Sequence, residues 1–446
     1  MRKRVIFGAV AIAAVLPLAG CGGGGWFDWF GGGEEAPLPG TRVSVLELAE
    51  ALEPDPEIAG LDVVLPPPTA NRDWLLPGRV PGHVGGHLEL SGGLERAWRA
   101  DIGRGSSSNR RLINPPIVVD NVVYVVDAAG HLSAVSAGSG EVLWQVRAAS
   151  PFEDSPPLGG GVAYADGLLF VSTGYGELMA LDPANGGLVW REETNAPLRA
   201  SPTVAEGRVF VVTVDNQLEA YAAATGEPLW NHTGILEPAA LLGGAAPAVA
   251  PGVVIAPYSS GEVFALRIES GRPVWSDSLT AIRRVGALAT LADIRGMPVV
   301  HEDRVFAVSH AGRTAAIDVT SGVRAWEQQF GSINMPWVAG DFVFVLTLQA
   351  DVVALTRDDG RIRWVASLPR WRNPEETSGP IVWAGPVLAG NRLILVNSEG
   401  DGVILSPYTG EELGVFDLEG PSQIMPVVAG GTLFVLTDNG VLTAYR

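Results

Sequence analysis

Beyond residue 90 the chain is punctuated by short apolar runs, such as Val209-Phe210-Val211-Val212, that do not alternate with polar positions. Runs of this length bounded by turn residues fit strands buried on both faces. They recur on a fixed ruler. Counting from Pro202, Phe210 lies eight positions on, Ala220 eighteen, Gly226 twenty-four and Trp230 twenty-eight. The same offsets run from Pro116 through Tyr124, Ala134, Gly140 and Trp144, from Pro298 through Phe306, Ala316, Gly322 and Trp326, and from Pro336 through Phe344, Ala354, Gly360 and Trp364. Pro247 keeps Ala265, Gly271 and Trp275, while Val162 replaces the proline ahead of Phe170, Ala180, Gly186 and Trp190. The copy from Pro386 is degenerate, with Ile404 for the alanine and Gly414 for the tryptophan, and Pro426 leads only to Phe434 and Ala444.

That last copy lacks a tryptophan strand, and Trp98 is an unmatched tryptophan upstream of the first proline. The two halves complete each other in a ring. From Trp98 to Arg446 there are 349 residues, or about 44 per repeat, the length at which four short strands make one propeller blade. The expected fold is therefore all-β, an eight-bladed β-propeller of four-stranded blades closed by an N-terminal strand. Glycine recurs fourteen positions after six of the eight origins, at Gly130, Gly176, Gly261, Gly312, Gly400 and Gly440, where a tight hairpin needs positive φ. The alanine at offset eighteen leaves room for a tryptophan ring from a neighbour. Trp98, Trp144, Trp190, Trp230, Trp275, Trp326 and Trp364 are thus expected to lock the blades together, each with its indole N–H on a backbone carbonyl.

Composition agrees and narrows the chemistry. Of 446 residues, 56 are Gly and 33 Pro, as a turn-rich β protein requires. The formal charge of −19 repels phosphate backbones, so no nucleic-acid partner is expected. Cys21 is the single cysteine, which excludes intramolecular disulfides and thiolate zinc clusters. Arg2, Lys3 and Arg4 precede an apolar run over residues 5–18, too short for a comfortable membrane span, and residues 1–20 read as a signal peptide. Residues 21–40 read as a Gly-rich tether carrying Trp26, Phe27, Trp29 and Phe30. Residues 41–93 read as an extension with a short helix opened by Ser44 and Glu47 and an extended stretch set by Pro66, Pro67 and Pro68. His83 and His87 have metal-pair spacing, but Gly85 and Gly86 lie between them and no third ligand is near, which favours a packed loop. The propeller itself spans 94–446. There is no G-x-S-x-G, H-E-x-x-H or P-loop, and the acidic pairs Glu153-Asp154 and Asp358-Asp359 fall in a connector and a turn.

Several stretches resemble known families. Leu18-Ala19-Gly20-Cys21 resembles the lipobox of bacterial lipoproteins, which implies that Cys21 is diacylated and becomes the mature N-terminus. Gly22 in place of Asp implies sorting to the outer membrane, facing the periplasm. Ala180-Leu181-Asp182 through Gly186 to Trp190, and Ala220 through Thr225-Gly226 to Trp230, resemble the docking motif of pyrroloquinoline quinone (PQQ)-type propellers. WD40 propellers fit less well, because no repeat closes with Trp-Asp. Lipobox, tether and eight repeats together look like the BamB family of the outer-membrane β-barrel assembly machinery. Asn71-Arg72-Asp73-Trp74, Pro77-Gly78 and His83 are similar to the N-terminal stretch of its α-proteobacterial members. The resemblance implies a non-catalytic scaffold without cofactor, docked on a periplasmic POTRA domain of a BamA-like barrel protein and aiding unfolded outer-membrane proteins. It assigns docking to the connectors Ala239-Ala240-Leu241-Leu242 and Ala292-Asp293-Ile294-Arg295, with Leu241 as a docking leucine and Asp293 as a docking acid. Leu242 stands where the family has an arginine, and Arg295 where it has a second acid. The alternatives are a PQQ-dependent periplasmic dehydrogenase, although the adjacent cysteines many of these carry are absent, or a propeller that binds a small ligand.

Overall fold

The computed structural model describes residues 51–148, 159–280 and 291–446. Within them every regular element is a strand, and the strands form eight four-stranded antiparallel sheets and one two-stranded hairpin. Seven sheets are consecutive in sequence: blade 1 runs from Ile117–Val119 out to Val142–Arg147, and blade 7 from Trp383–Ala389 out to Glu412–Asp417. Blade 8 takes its inner three strands from the C-terminal end and its outermost strand, Arg96–Asp101, from the N-terminal side, pairing Trp98 with Ala444. The clasp anticipated from Trp98 is therefore the one observed. The small hairpin, Trp371–Asn373 with Ser378–Pro380, is an insertion between blades 6 and 7. Signal peptide, lipobox, Cys21, tether and most of the helix expected from Ser44 fall outside the described residues, and the described end of that stretch, residues 51–53, is not helical.

Each of the seven indoles reaches the next blade, but not against its alanine. In seven blades the alanine is the tryptophan's own cross-strand partner, as in Ala220↔Trp230, and in six of them an aromatic residue of the second strand pairs with that alanine's other side, Ile255 taking its place in blade 4. A side chain this small lets the two rings meet over it, with centroids 5.8 Å apart for Phe210 and Trp230 and 6.0 Å for Phe306 and Trp326. The neighbour's receiving surface is the turn glycine at offset twenty-four. A Cβ on Gly140 would lie 2.6 Å from Trp98, and one on Gly271 would lie 2.4 Å from Trp230. These glycines also have positive φ, +77° and +67°, so two independent constraints exclude a side chain there. Each indole N–H donates to a carbonyl three residues before that glycine, over 2.7 to 3.1 Å.

This geometry explains why blade 7 carries Gly414. Its tryptophan would dock on the turn between the third and outermost strands of blade 8. No such turn exists, because those two strands come from opposite ends of the ring sequence. The seam is held instead by reciprocal backbone bonds between Glu95 and Arg446 (2.8 and 2.9 Å). Arg392 of blade 7 donates to the carbonyls of Gly92 and Leu90, and Phe416 meets Tyr445 edge-on at 5.4 Å. Arg96 and Arg99 both reach Glu419.

The extension ahead of blade 8 threads around the channel in ring order. Asn71 bonds Val428 and Gly430 of blade 8, Trp74 exchanges both backbone bonds with Val118 of blade 1, and the Leu75 carbonyl accepts from Tyr164 of blade 2. Pro81 then serves Val249 of blade 4, Gly82 serves Val300 of blade 5, Gly86 bonds Val338 of blade 6, and Leu88 bonds Leu388 and Gly390 of blade 7. The free edges of innermost strands are thereby satisfied by the chain's own backbone. Trp74 of the extension and Trp337 of blade 6, both fully buried, pack with ring centroids 6.3 Å apart. His83 and His87 fasten the segment: His83 Nδ1 lies 2.8 Å from the Pro298 carbonyl, while His87 sits between the Pro66 carbonyl and the Asn391 N–H.

Candidate functional site

The connector between blades 3 and 4 is pinned at both ends. At its start the Gly234 N–H donates to the Asn216 carbonyl, and a Cβ on Gly234 would lie 2.6 Å from the Tyr258 ring, so only glycine lets the chain pass. The Ile235 N–H donates to Glu262 Oε2 over 3.0 Å, and Asn216 Nδ2 donates to the Ile235 carbonyl over 2.6 Å. At the far end the Leu241 N–H donates to Asp293 Oδ2 (2.7 Å) and Arg199 Nη1 donates to the Leu241 carbonyl (2.9 Å). With the backbone committed inward, Ile235, Leu236 and Leu242 project outward, 58%, 68% and 41% exposed. Three apolar side chains on a fixed loop make a surface whose ordering entropy is spent before any partner arrives.

The four residues singled out in the sequence do meet here, with different roles. Leu242 is exposed and Leu241 half-buried. Asp293 is only 3% exposed, and its carboxylate is turned inward to the Leu241 N–H. Burial pushes its carboxyl up, while the Leu241 N–H and the charges of Arg199, Arg295 and His310 pull it back. Arg295 is half-buried beside Gly243, and burial lowers its guanidinium against the opposing pull of Asp293. The pair thus sets the loop from beneath, and Asp293 positions Leu241 where the sequence suggested an exposed acid. Ile235 and Leu236 were missed. The available signal was an adjacent apolar pair in a connector just after the polar end of an outer strand, Asn231-His232-Thr233.

A cleft of about 30 Å³ lies under this loop, bordered by Arg199, Asn216, Gly243 and Asp293. It has room for a water or two. Among the described residues no three His, Cys, Asp or Glu side chains converge on a point. Asp358 and Asp359 are exposed in a turn of blade 6, and Glu153-Asp154 lies outside the described residues.

Comparison with known proteins fits this picture. The profile of the family described as outer membrane protein assembly factor BamB matches residues 95–155 and 128–366. The assembly factor BamB of Burkholderia pseudomallei is 27% identical over 359 residues, covering 79% of this chain and 88% of that protein. The crystal structure of BamB from Moraxella catarrhalis superposes with a TM-score of 0.62 at 22% identity, over 80% of this chain and 98% of that one. The quinohemoprotein alcohol dehydrogenase of Comamonas testosteroni gives a TM-score of 0.64 at 14% identity, over 88% and 82%. At such identities both structural matches speak for the propeller alone. The profile covers well over half of the chain and spans the blades that carry the pinned loop, and by it the chain belongs to the BamB family.

Proposed function

We propose that this chain is a non-catalytic scaffold lipoprotein of the outer-membrane β-barrel assembly machinery. It is held through Cys21 at the periplasmic side of the outer membrane and docks on a POTRA domain of a BamA-like barrel protein. The observation that carries the reading is the loop at 234–242, whose backbone is tied down by Asn216, Glu262, Asp293 and Arg199 while Ile235, Leu236 and Leu242 are left in water. Family membership supports the machinery as the setting. In this chain the contact is apolar at its centre, because Leu242 stands where the family's arginine is expected. Docking holds the machine in a productive geometry and guides unfolded outer-membrane proteins toward the barrel. No step of chemistry is assigned to it.

A photo-crosslinker tests this directly. With p-benzoyl-phenylalanine placed at Leu236 of the full chain, irradiated cells should yield an adduct with the barrel protein. The same probe at Val323, 65% exposed on the rim of blade 5, should yield none. Adducts at position 323 alone, or at neither position, would overturn the interface.

A further inference from the structure

The outermost strand of blade 7, Glu412–Asp417, differs from the other seven in a way that leaves it open. A Cβ on Gly414 would meet nothing within 4 Å, where the other blades carry an indole. Opposite it, Ile404 is partly exposed, whereas the alanine at that place in every other blade is buried. On the strand's other face Leu413 and Val415 are 57% and 64% exposed. Both faces of this strand are therefore apolar and wet, and no further strand among the described residues pairs with its outer edge.

The neighbouring blade shows the same edge position covered. At blade 6 the Asp55 N–H donates to the Ile362 carbonyl over 2.8 Å, Arg361 pairs with Asp55 and Glu57, and Arg363 Nε donates to the Leu61 carbonyl. Basic side chains of that blade meet acids of the covering segment. The charge at blade 7 has the opposite sign. Between Arg392 and Arg446 there is no lysine or arginine, and Glu411, Glu412 and Asp417 are exposed along the strand.

We propose that this edge is a strand-binding site for an extended segment that carries an aromatic side chain with lysine or arginine at its ends. The segment adds antiparallel to Glu412–Asp417 through its backbone, as strand addition at a free edge does. Its aromatic ring lies over Gly414 against Ile404, in the position held by a tryptophan in seven other blades. Its alternate side chains cover Leu413 and Val415, and its basic ends meet Glu411, Glu412 and Asp417. This names the edge and the chemistry for the guiding of unfolded outer-membrane strands proposed above and rests on that reading, but it uses the rim of blade 7 and not the loop at 234–242.

The test is fluorescence anisotropy with the full-length protein in mild detergent and a labelled ten-residue peptide that alternates Tyr with Val between terminal lysines. Gly414→Trp, which fills the open position, and Val415→Lys should each weaken binding roughly tenfold or more. So should alanine in place of the peptide's tyrosines. Leu143→Lys, at a comparably exposed apolar position on blade 1, should leave binding unchanged. Unaltered binding by both blade 7 variants, or equal loss with Leu143→Lys, would overturn the site. Co-purification of the barrel protein with Val415→Lys separates the two readings. A lost peptide site with the partner retained is the expected result, whereas a partner lost along with the peptide would place the docking contact at blade 7 and overturn this assignment.

Discussion

Replacing His83 by asparagine should remove a specific part of the protein's acid sensitivity. His83 is fully buried in the extension, with Nδ1 on the Pro298 carbonyl and no partner at Nε2 among the described residues. Burial pulls its imidazole down from 6.5 to about 4, with the Pro298 carbonyl opposing. The unfolded chain takes up a proton near the ordinary value and the folded protein only near the lowered one. Between the two the unfolded state holds more protons, so stability falls as pH falls. A gap of about 2.5 in pKa, at about 1.4 kcal/mol each, makes this loss about 3 kcal/mol from neutrality down to about pH 4. Asparagine tolerates the backbone here, where φ is +60°, keeps a donor for Pro298 and does not titrate. Urea unfolding of both proteins, followed by tryptophan fluorescence from about pH 7 to about pH 4.5, reads the difference, because acid effects from the carboxylates are common to both. Wild type should lose about 2 kcal/mol more than the variant over that range. Parallel curves would refute a dry contact between extension and channel.

Three further outcomes follow from the packing. Gly271→Ala should destabilise by about 1 kcal/mol or more beyond Gly252→Ala, because both force a side chain onto positive φ but only the first pushes into the Trp230 ring; equal midpoints in urea would remove the docking role of that glycine. Asp293→Ala should cost about 1 to 3 kcal/mol in the same assay, since it takes the acceptor from the Leu241 N–H and the opposing charge from half-buried Arg295; a neutral result would mean that water replaces the carboxylate. Ile235→Arg with Leu242→Arg should abolish co-purification of the barrel partner and leave the thermal midpoint within a degree or two, as both side chains already face water; a lowered midpoint would show that they pack against the body of the protein.

The propeller was legible because its information is periodic. Eight origins, the turn glycines and seven tryptophans sit at fixed offsets, and Trp98 alone announced the clasp. The alanine was misplaced for a physical reason: spacing reveals that a small residue is required, not whether the ring above it belongs to its own blade or the next. Gly414 read as decay of the repeat, and only the missing turn at the seam shows that no tryptophan could dock there. The thread around the channel left still less trace. Pro81, Gly82 and Gly86 contact the blades through backbone groups that any residue carries, so no pattern of side chains marks them. At the loop over residues 234–242 the repeat located the connectors, but the inward turn of Asp293 depends on the Leu241 N–H, which lies 52 residues away in the chain.

The central claim is that this propeller works by holding a barrel protein. The most direct measurement is to tag the full chain after Arg446, solubilise envelopes in mild detergent and identify by mass spectrometry what co-purifies in stoichiometric amount. The account predicts a BamA-like barrel protein with POTRA domains, lost when Ile235 and Leu242 are both arginine. A protein that emerges alone from wild-type envelopes, or a partner that the double variant retains in full, would contradict it.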